Sequence, residues 1–208
     1  MPKNTAYLNI SGIFGHMNKI IKSIFTNQHG YATFGDITKS GIHKSVIKKL
    51  EEAQLIHKVR RGLYRWNELA DGSEAMIEVC KLVPSGVLCL FSAWHYYDLA
   101  TYIPHEHHIA IDKNDKVRLP DYPPIKLYFR DKTNYELGIT DRNGIRIYDL
   151  EKSICDLIKY RKKIGMDTVS EVLKNYLNRS DKNLDQLFKY AKVMRIERTL
   201  KEYLLILL

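Results

Sequence analysis

Between His43 and Trp66 the apolar pattern changes from helical to strand-like with no loop between, and this constrains the fold more than any other feature of the chain. Val46, Ile47, Leu50 and Ala53 recur at helical spacing, so a helix over about His43 to Ala53 turns one face inward. Leu55-Ile56-His57-Lys58-Val59 and Leu63-Tyr64-Arg65-Trp66 are then β-compatible runs on either side of Arg60-Arg61-Gly62. Gly62 supplies the positive φ that a tight hairpin needs. Upstream, Ile20, Ile21, Ile24 and Phe25 give Asn18 to Asn27 one apolar face, and Gly30 ends that helix. Thr33 suits the N-cap of a short helix from Phe34 to Ser40 with Ile37 inward. Gly41 permits a turn, and Ile42 plugs the space between helices. Three helices followed by a hairpin predict a winged helix-turn-helix over residues 17–70.

The same stretch holds most of the excess charge. Met17 to Trp66 contains ten Lys and Arg against Asp36, Glu51 and Glu52, a net +7 in a chain of net +9. Lys3 adds one more, which leaves Asn67 to Leu208 at +1. A basic module beside a nearly neutral one predicts a polyanion partner for the first and a different task for the second. The outer face of the third helix carries Lys44, Ser45, Lys48 and Lys49, donors suited to phosphates and base edges. Arg60 and Arg61 at the hairpin tip would reach the DNA backbone or minor groove beside it. These six residues are the candidate DNA-binding site. The alternative is a winged helix used for protein contact, with a solvated basic face.

Beyond this module the 208 residues leave room for one medium domain. Residues 1–16 lack the apolar core of a signal peptide and are set aside as a leader outside the fold. Asp71-Gly72-Ser73 opens a linker or connecting helix over 71–83, stopped by Pro84-Ser85-Gly86. Residues 84–208 form the second domain. Val87 to Phe91 reads as a buried strand or a strand-to-helix entry, with Ser92 capping a helix through Leu99. His107 to Ile111, Ile125 to Arg130, Leu137 to Thr140 and Ile145 to Tyr148 read as strands, the last two joined by Asn143-Gly144. Four apolar stripes after Asp149 predict helices. The expected class is α+β: a winged helix-turn-helix, then a mixed α/β domain ending in a helical subdomain. No stretch reaches the roughly 20 apolar residues of a membrane span. Cys80, Cys89 and Cys155 are odd in number and widely spaced, which suits reduced thiols in a cytoplasmic protein.

Signals for catalysis are weak. His105-Glu106-His107-His108 lies on a strand, where neighbours alternate between faces, and lacks metal-ligand helical spacing. Ser92 and His95 lack a nucleophile elbow. Asp149 and Glu151 could form a two-carboxylate metal site, but carboxylates at a helix start also cap it and favour its dipole. Asp156 and Arg161 suggest a structural polar pair. No metal, cofactor or catalytic residue is expected.

Three segments carry a family resemblance. The first is Gly41-Ile42 and a helix, then the hairpin Leu55 to Tyr64. The second is Pro84-Ser85-Gly86-Val87-Leu88-Cys89-Leu90-Phe91-Ser92-Ala93-Trp94-His95-Tyr96-Tyr97-Asp98-Leu99. The third is Ile145-Arg146-Ile147-Tyr148-Asp149-Leu150-Glu151-Lys152-Ser153-Ile154-Cys155-Asp156. Together they resemble the AbiEi family, antitoxins and transcriptional regulators of type IV toxin–antitoxin systems. Lys152 stands where family members often carry Arg, and Tyr148-Asp149 where a Ser/Thr-Pro pair is common. The resemblance implies binding of double-stranded operator DNA, autorepression, and antagonism of a nucleotidyltransferase-like toxin. Self-association on DNA is compatible with that role. The competing expectations are a DNA-acting nuclease or nucleotidyltransferase using Asp149 and Glu151, and a ligand-responsive repressor.

Overall fold

The computed structural model describes residues 13–68 and 74–207. The chain is a mixture of helices and strands with two sheets and a C-terminal helical region. It divides into two compact units, Met1–Glu74 and Ala75–Leu208. Among the described residues no helix is long and apolar enough to cross a membrane.

The first unit runs α1 (Ile13–Thr26), β1 (Tyr31–Thr33), α2 (Phe34–Lys39), α3 (Lys44–Glu52), β2 (Ile56–Arg60) and β3 (Leu63–Trp66). α1 begins at Ile13 rather than Asn18, so its first turn lies in the stretch set aside as a leader; residues 1–12 lie outside the described residues. Thr33 caps α2 as its position suggests. Its hydroxyl accepts from the Asp36 N–H at 3.1 Å, and the Asp36 carboxylate accepts from the Thr33 N–H at 2.9 Å. This reciprocal pair satisfies donors that the first turn otherwise leaves open. β1 was not expected. Three residues carry no readable period, yet Tyr31 and Ala32 are buried and pair with Arg65 and Tyr64. The antiparallel sheet has the order β1-β3-β2. Ile21, Phe25, Ile37, Ile42, Ile47, Leu50, Ile56 and Trp66 form the core beneath it. Ala53, expected on the inner face of α3, is exposed and forms its C-cap.

The second unit runs α4 (Glu74–Leu82), β4 (Val87–Leu88), α5 (Leu90–Tyr96), β5 (His107–Asp112), β6 (Ile125–Arg130), α6 (Lys132–Glu136), β7 (Ile139–Arg142), β8 (Ile145–Tyr148), α7 (Leu150–Ile164), α8 (Met166–Leu177), α9 (Leu184–Val193) and α10 (Glu197–Leu207). α4 buries Ile77, Val79 and Leu82, so the segment read as a connection supplies core. The five strands have the order β6-β5-β4-β8-β7. β4 and β8 are parallel, with Leu88 opposite Ile147, and β5 and β6 are parallel in register from His107–Ile125 to Asp112–Arg130. β7 and β8 form the hairpin that Asn143-Gly144 announces, both residues at positive φ (54° and 82°). Ile154, Leu157 and Ile158 on α7 share one core with Val169, Val172 and Leu173 on α8, Leu187 and Ala191 on α9, and Leu200 and Leu204 on α10.

Ser92 does not cap α5. The helix starts two residues earlier, with Cys89 at the cap position and no side-chain cap bond. Ser92 is instead buried inside the helix, where its hydroxyl accepts from the His108 N–H at 2.8 Å and ties α5 to β5.

Candidate nucleic-acid interface

α3 presents two unlike faces. Ile47 and Leu50 are 2% and 3% exposed, whereas Lys44, Ser45, Lys48 and Lys49 are all exposed. Lys44 and Lys48 stand one turn apart, as do Ser45 and Lys49, so the four side chains form two adjoining stripes. His43 caps the helix: its Nδ1 accepts from the Ser45 N–H at 3.3 Å and lies 2.9 Å from the Ser45 hydroxyl. The carboxylates come only in the last turn. Glu52 lies 3.8 Å from Lys48, an exposed pair of the kind that contributes little to stability.

The hairpin differs from expectation in one respect. Arg60 is the last residue of β2 and pairs with Leu63, so the turn proper is Arg61-Gly62. The register shifts between Lys58, opposite Tyr64, and Arg60, opposite Leu63. That bulge breaks the strict in–out alternation of a strand, and Lys58, Arg60 and Arg61 are all exposed. Gly62 sits at φ 80°, and its carbonyl accepts from the Phe34 N–H at 2.8 Å, which fixes the tip against the start of α2. Within this unit α3 also packs against β2. The six expected site residues therefore lie on an outward helix face and on the hairpin beside it. Lys58 was missed as a candidate: strand alternation puts it on the same face as the buried Ile56, yet it is exposed. A cavity of about 250 Å³ lined by Lys19, Lys22, Leu55, Trp66 and Glu68 includes none of the six.

In the second unit Asp149, Glu151 and His108 are all held in hydrogen bonds within the fold. Asp149 caps α7, accepting from the Lys152 N–H at 2.8 Å and from the Tyr190 hydroxyl at 2.7 Å, and burial pushes its carboxyl up. Glu151 accepts from the Asn183 N–H at 2.8 Å and the Tyr176 hydroxyl at 3.3 Å, tying α7 to the start of α9. His108 is buried, its Nδ1 lies 2.8 Å from the Tyr128 hydroxyl, and burial pulls its pKa down to about 4. Among the described residues no three His, Cys, Asp or Glu side chains converge as a metal site requires.

Asp156 does not pair with Arg161, which donates to the Ile158 carbonyl at 2.8 Å. Its partners are Arg130, through two bonds of 2.9 and 2.8 Å, and Lys152, at 2.6 Å. The three side chains are 0–2% exposed. The Tyr148 and Tyr160 rings each lie 5.4 Å from the Arg130 guanidinium, and Lys152 is 4.1 Å from the Tyr148 ring. Burial pulls the Lys152 ammonium below its ordinary 10.5, only partly countered by Asp156. The cluster came from residues 26 positions apart, which no local pattern connects.

No protein-family model matches the chain, and no curated protein sequence does. Among solved structures the chain is similar to that of the RV2827C protein from Mycobacterium tuberculosis, with a TM-score of 0.51. The two are 13% identical, over 84% of this chain and 70% of that one. At that identity the likeness is one of fold alone.

Proposed function

We propose that this chain is a DNA-binding regulator whose first unit is a winged helix-turn-helix, and that it serves as the antitoxin of a type IV toxin–antitoxin operon with no catalysis of its own. The observation that carries the DNA-binding part is the exposed, cationic outer face of α3 beside a hairpin on which Lys58, Arg60 and Arg61 are exposed. In this reading α3 is the recognition helix and the β2–β3 hairpin is the wing. Counterion release from phosphates then provides most of the affinity. Replacing Arg60 and Arg61 by Ala should weaken binding and flatten the plot of log K against log salt by up to about 2 units, one phosphate contact each. Isotherms at several salt concentrations measure this, and an unchanged slope removes the wing from the interface.

The antitoxin part rests on the AbiEi resemblance, and one feature of the second unit supports it. Two of the three resembling segments, Pro84–Leu99 and Ile145–Asp156, meet at the centre of that unit. Leu88 pairs with Ile147, and the Trp94 indole donates to the Ser153 carbonyl at 3.1 Å. The resemblance thus falls on residues that build one another's surroundings. The partner is a nucleotidyltransferase-like toxin. With Lys44, Lys48, Arg60 and Arg61 all changed to Ala, repression of a promoter reporter should be lost while rescue of growth from the neighbouring gene's product persists. Loss of rescue in that folded variant would refute the division of tasks.

A further inference from the structure

If the first unit binds DNA as proposed, the chemistry of its exposed helix face narrows which base edge it can read. The outward positions of α3 are Lys44, Ser45, Lys48 and Lys49, then Glu52 in the last turn. An ammonium donates three hydrogen bonds and accepts none. Ser45 is the one outward residue on the first two turns able to accept: its hydroxyl donates to His43 Nδ1 at 2.9 Å and keeps its lone pairs, a single short acceptor among long donors. No Asn or Gln occurs anywhere in α3, so the paired donor and acceptor that adenine requires are missing. No apolar side chain is fully exposed on this face to meet a thymine methyl, since Val46 is half-buried and Ile47 and Leu50 are buried. Cytosine offers a donor and calls for a carboxylate. Glu52 is the exposed one, but it is the last residue of the helix. A carboxylate is also repelled by the phosphates that flank the groove, which keeps the last turn outside and leads the helix in by its first turns.

The face is dominated by the donors Lys44, Lys48 and Lys49. Guanine is the base whose major-groove edge offers two adjacent acceptors, N7 and O6, without an amino donor beside them. We infer that the edge read by this unit is that of guanine, with Lys44 and Lys48 donating to O6 and N7. This rests on the DNA-binding reading and goes beyond it by naming the base. Arg60 and Arg61 on the hairpin contribute charge at the backbone irrespective of sequence.

The test uses the full chain and fluorescence anisotropy at one salt concentration. Two duplexes of identical sequence are compared, one with a central run of guanines and one with 7-deazaguanine at those positions. The substitution removes N7 and leaves the phosphates and the Watson–Crick pairing unchanged. The deaza duplex should bind at least about fivefold more weakly, the lower end for a lost base contact. Lys44→Ala with Lys48→Ala, its helix content checked by circular dichroism, should bind the two duplexes alike. Arg60→Ala with Arg61→Ala should weaken both equally and keep their ratio. Equal binding of the two duplexes by the unaltered chain, or a ratio that survives the double lysine change, overturns the guanine inference while DNA binding stands. Failure to bind any duplex overturns DNA binding itself.

Discussion

Among the described residues Asp156 is the one carboxylate paired with Arg130 and Lys152 in the second unit's buried cluster, and its removal should be far more damaging than removal of either neighbour's surplus charge. Asp156→Asn keeps the shape but leaves two cations, 2% and 0% exposed, without a counter-charge. Breaking a buried pair in this way costs about 3–5 kcal/mol. With a urea dependence of about 2 kcal/mol/M, the unfolding midpoint should fall by about 1.5–2.5 M. Lys152→Met does the opposite: it leaves the bidentate Arg130–Asp156 pair intact and removes the extra cation. That change should be neutral or stabilising, because the Arg130–Asp156 pair that remains is balanced and the desolvation cost of the third buried charge is gone. Trp94 is buried beside Ser153 and reports this unit by fluorescence once Trp66 is changed to Phe. The pH dependence provides a second check. Burial lowers the folded-state pKa of Lys152 below 10.5, so between the two values the unfolded chain binds the extra proton and stability rises with pH. Any advantage of Lys152→Met at neutral pH should therefore shrink as pH approaches 10.5. Equal destabilisation by Asp156→Asn and Lys152→Met would refute the reasoning.

Leu50→Asp places a carboxylate without a partner at a site 3% exposed and should unfold the first unit, whereas Lys48→Ala should keep the circular dichroism and lose DNA affinity; exchanged outcomes would reverse the two faces of α3. Glu52→Gln frees Lys48 from its carboxylate partner and removes an anion near the phosphates, so DNA should bind a few-fold more tightly at low salt, a gain that fades as salt rises. The imidazole resonances of His108 should titrate near 4. Because its folded-state pKa lies below the ordinary 6.5, the stability tied to this group is full above 6.5 and is lost as pH falls toward 4; a His108 titration near 6.5 would mean that β5 is not packed as described.

What the sequence made legible, and what it hid, follow from the range of the interactions involved. α3 and the hairpin are readable because Ile47, Leu50 and Gly62 obey short-range rules of period and backbone conformation. The Asn143-Gly144 hairpin is readable for the same reason. β1 is three residues long and α6 five, too short to show a period. The run Val87 to Phe91 was ambiguous because it contains both outcomes, a two-residue strand and the first turn of α5. Ser92 was misread as a cap because hydroxyls favour helix starts, while its actual partner, the His108 N–H, lies 16 residues away. At the candidate interface the residue types were visible, but the bulge that moves Arg60 into β2 was not.

The pairing of Leu88 with Ile147 also orders events during synthesis. The first unit's strands and helices draw only on residues 13–68, so it can fold once that stretch has left the ribosome. The second unit cannot close its sheet until β8 has been made, since β8 lies between β4 and β7. At about 5–20 residues per second, the wait from Leu88 to Ile147 lasts roughly 3–12 s. During it the nascent chain carries a finished cationic head and, behind it, an apolar strand with an unsatisfied edge, the kind of edge that pairs with other chains. Translation that stalls in this window leaves a fragment with its cationic unit complete and its second sheet open, so pauses between β4 and β8 should favour aggregation.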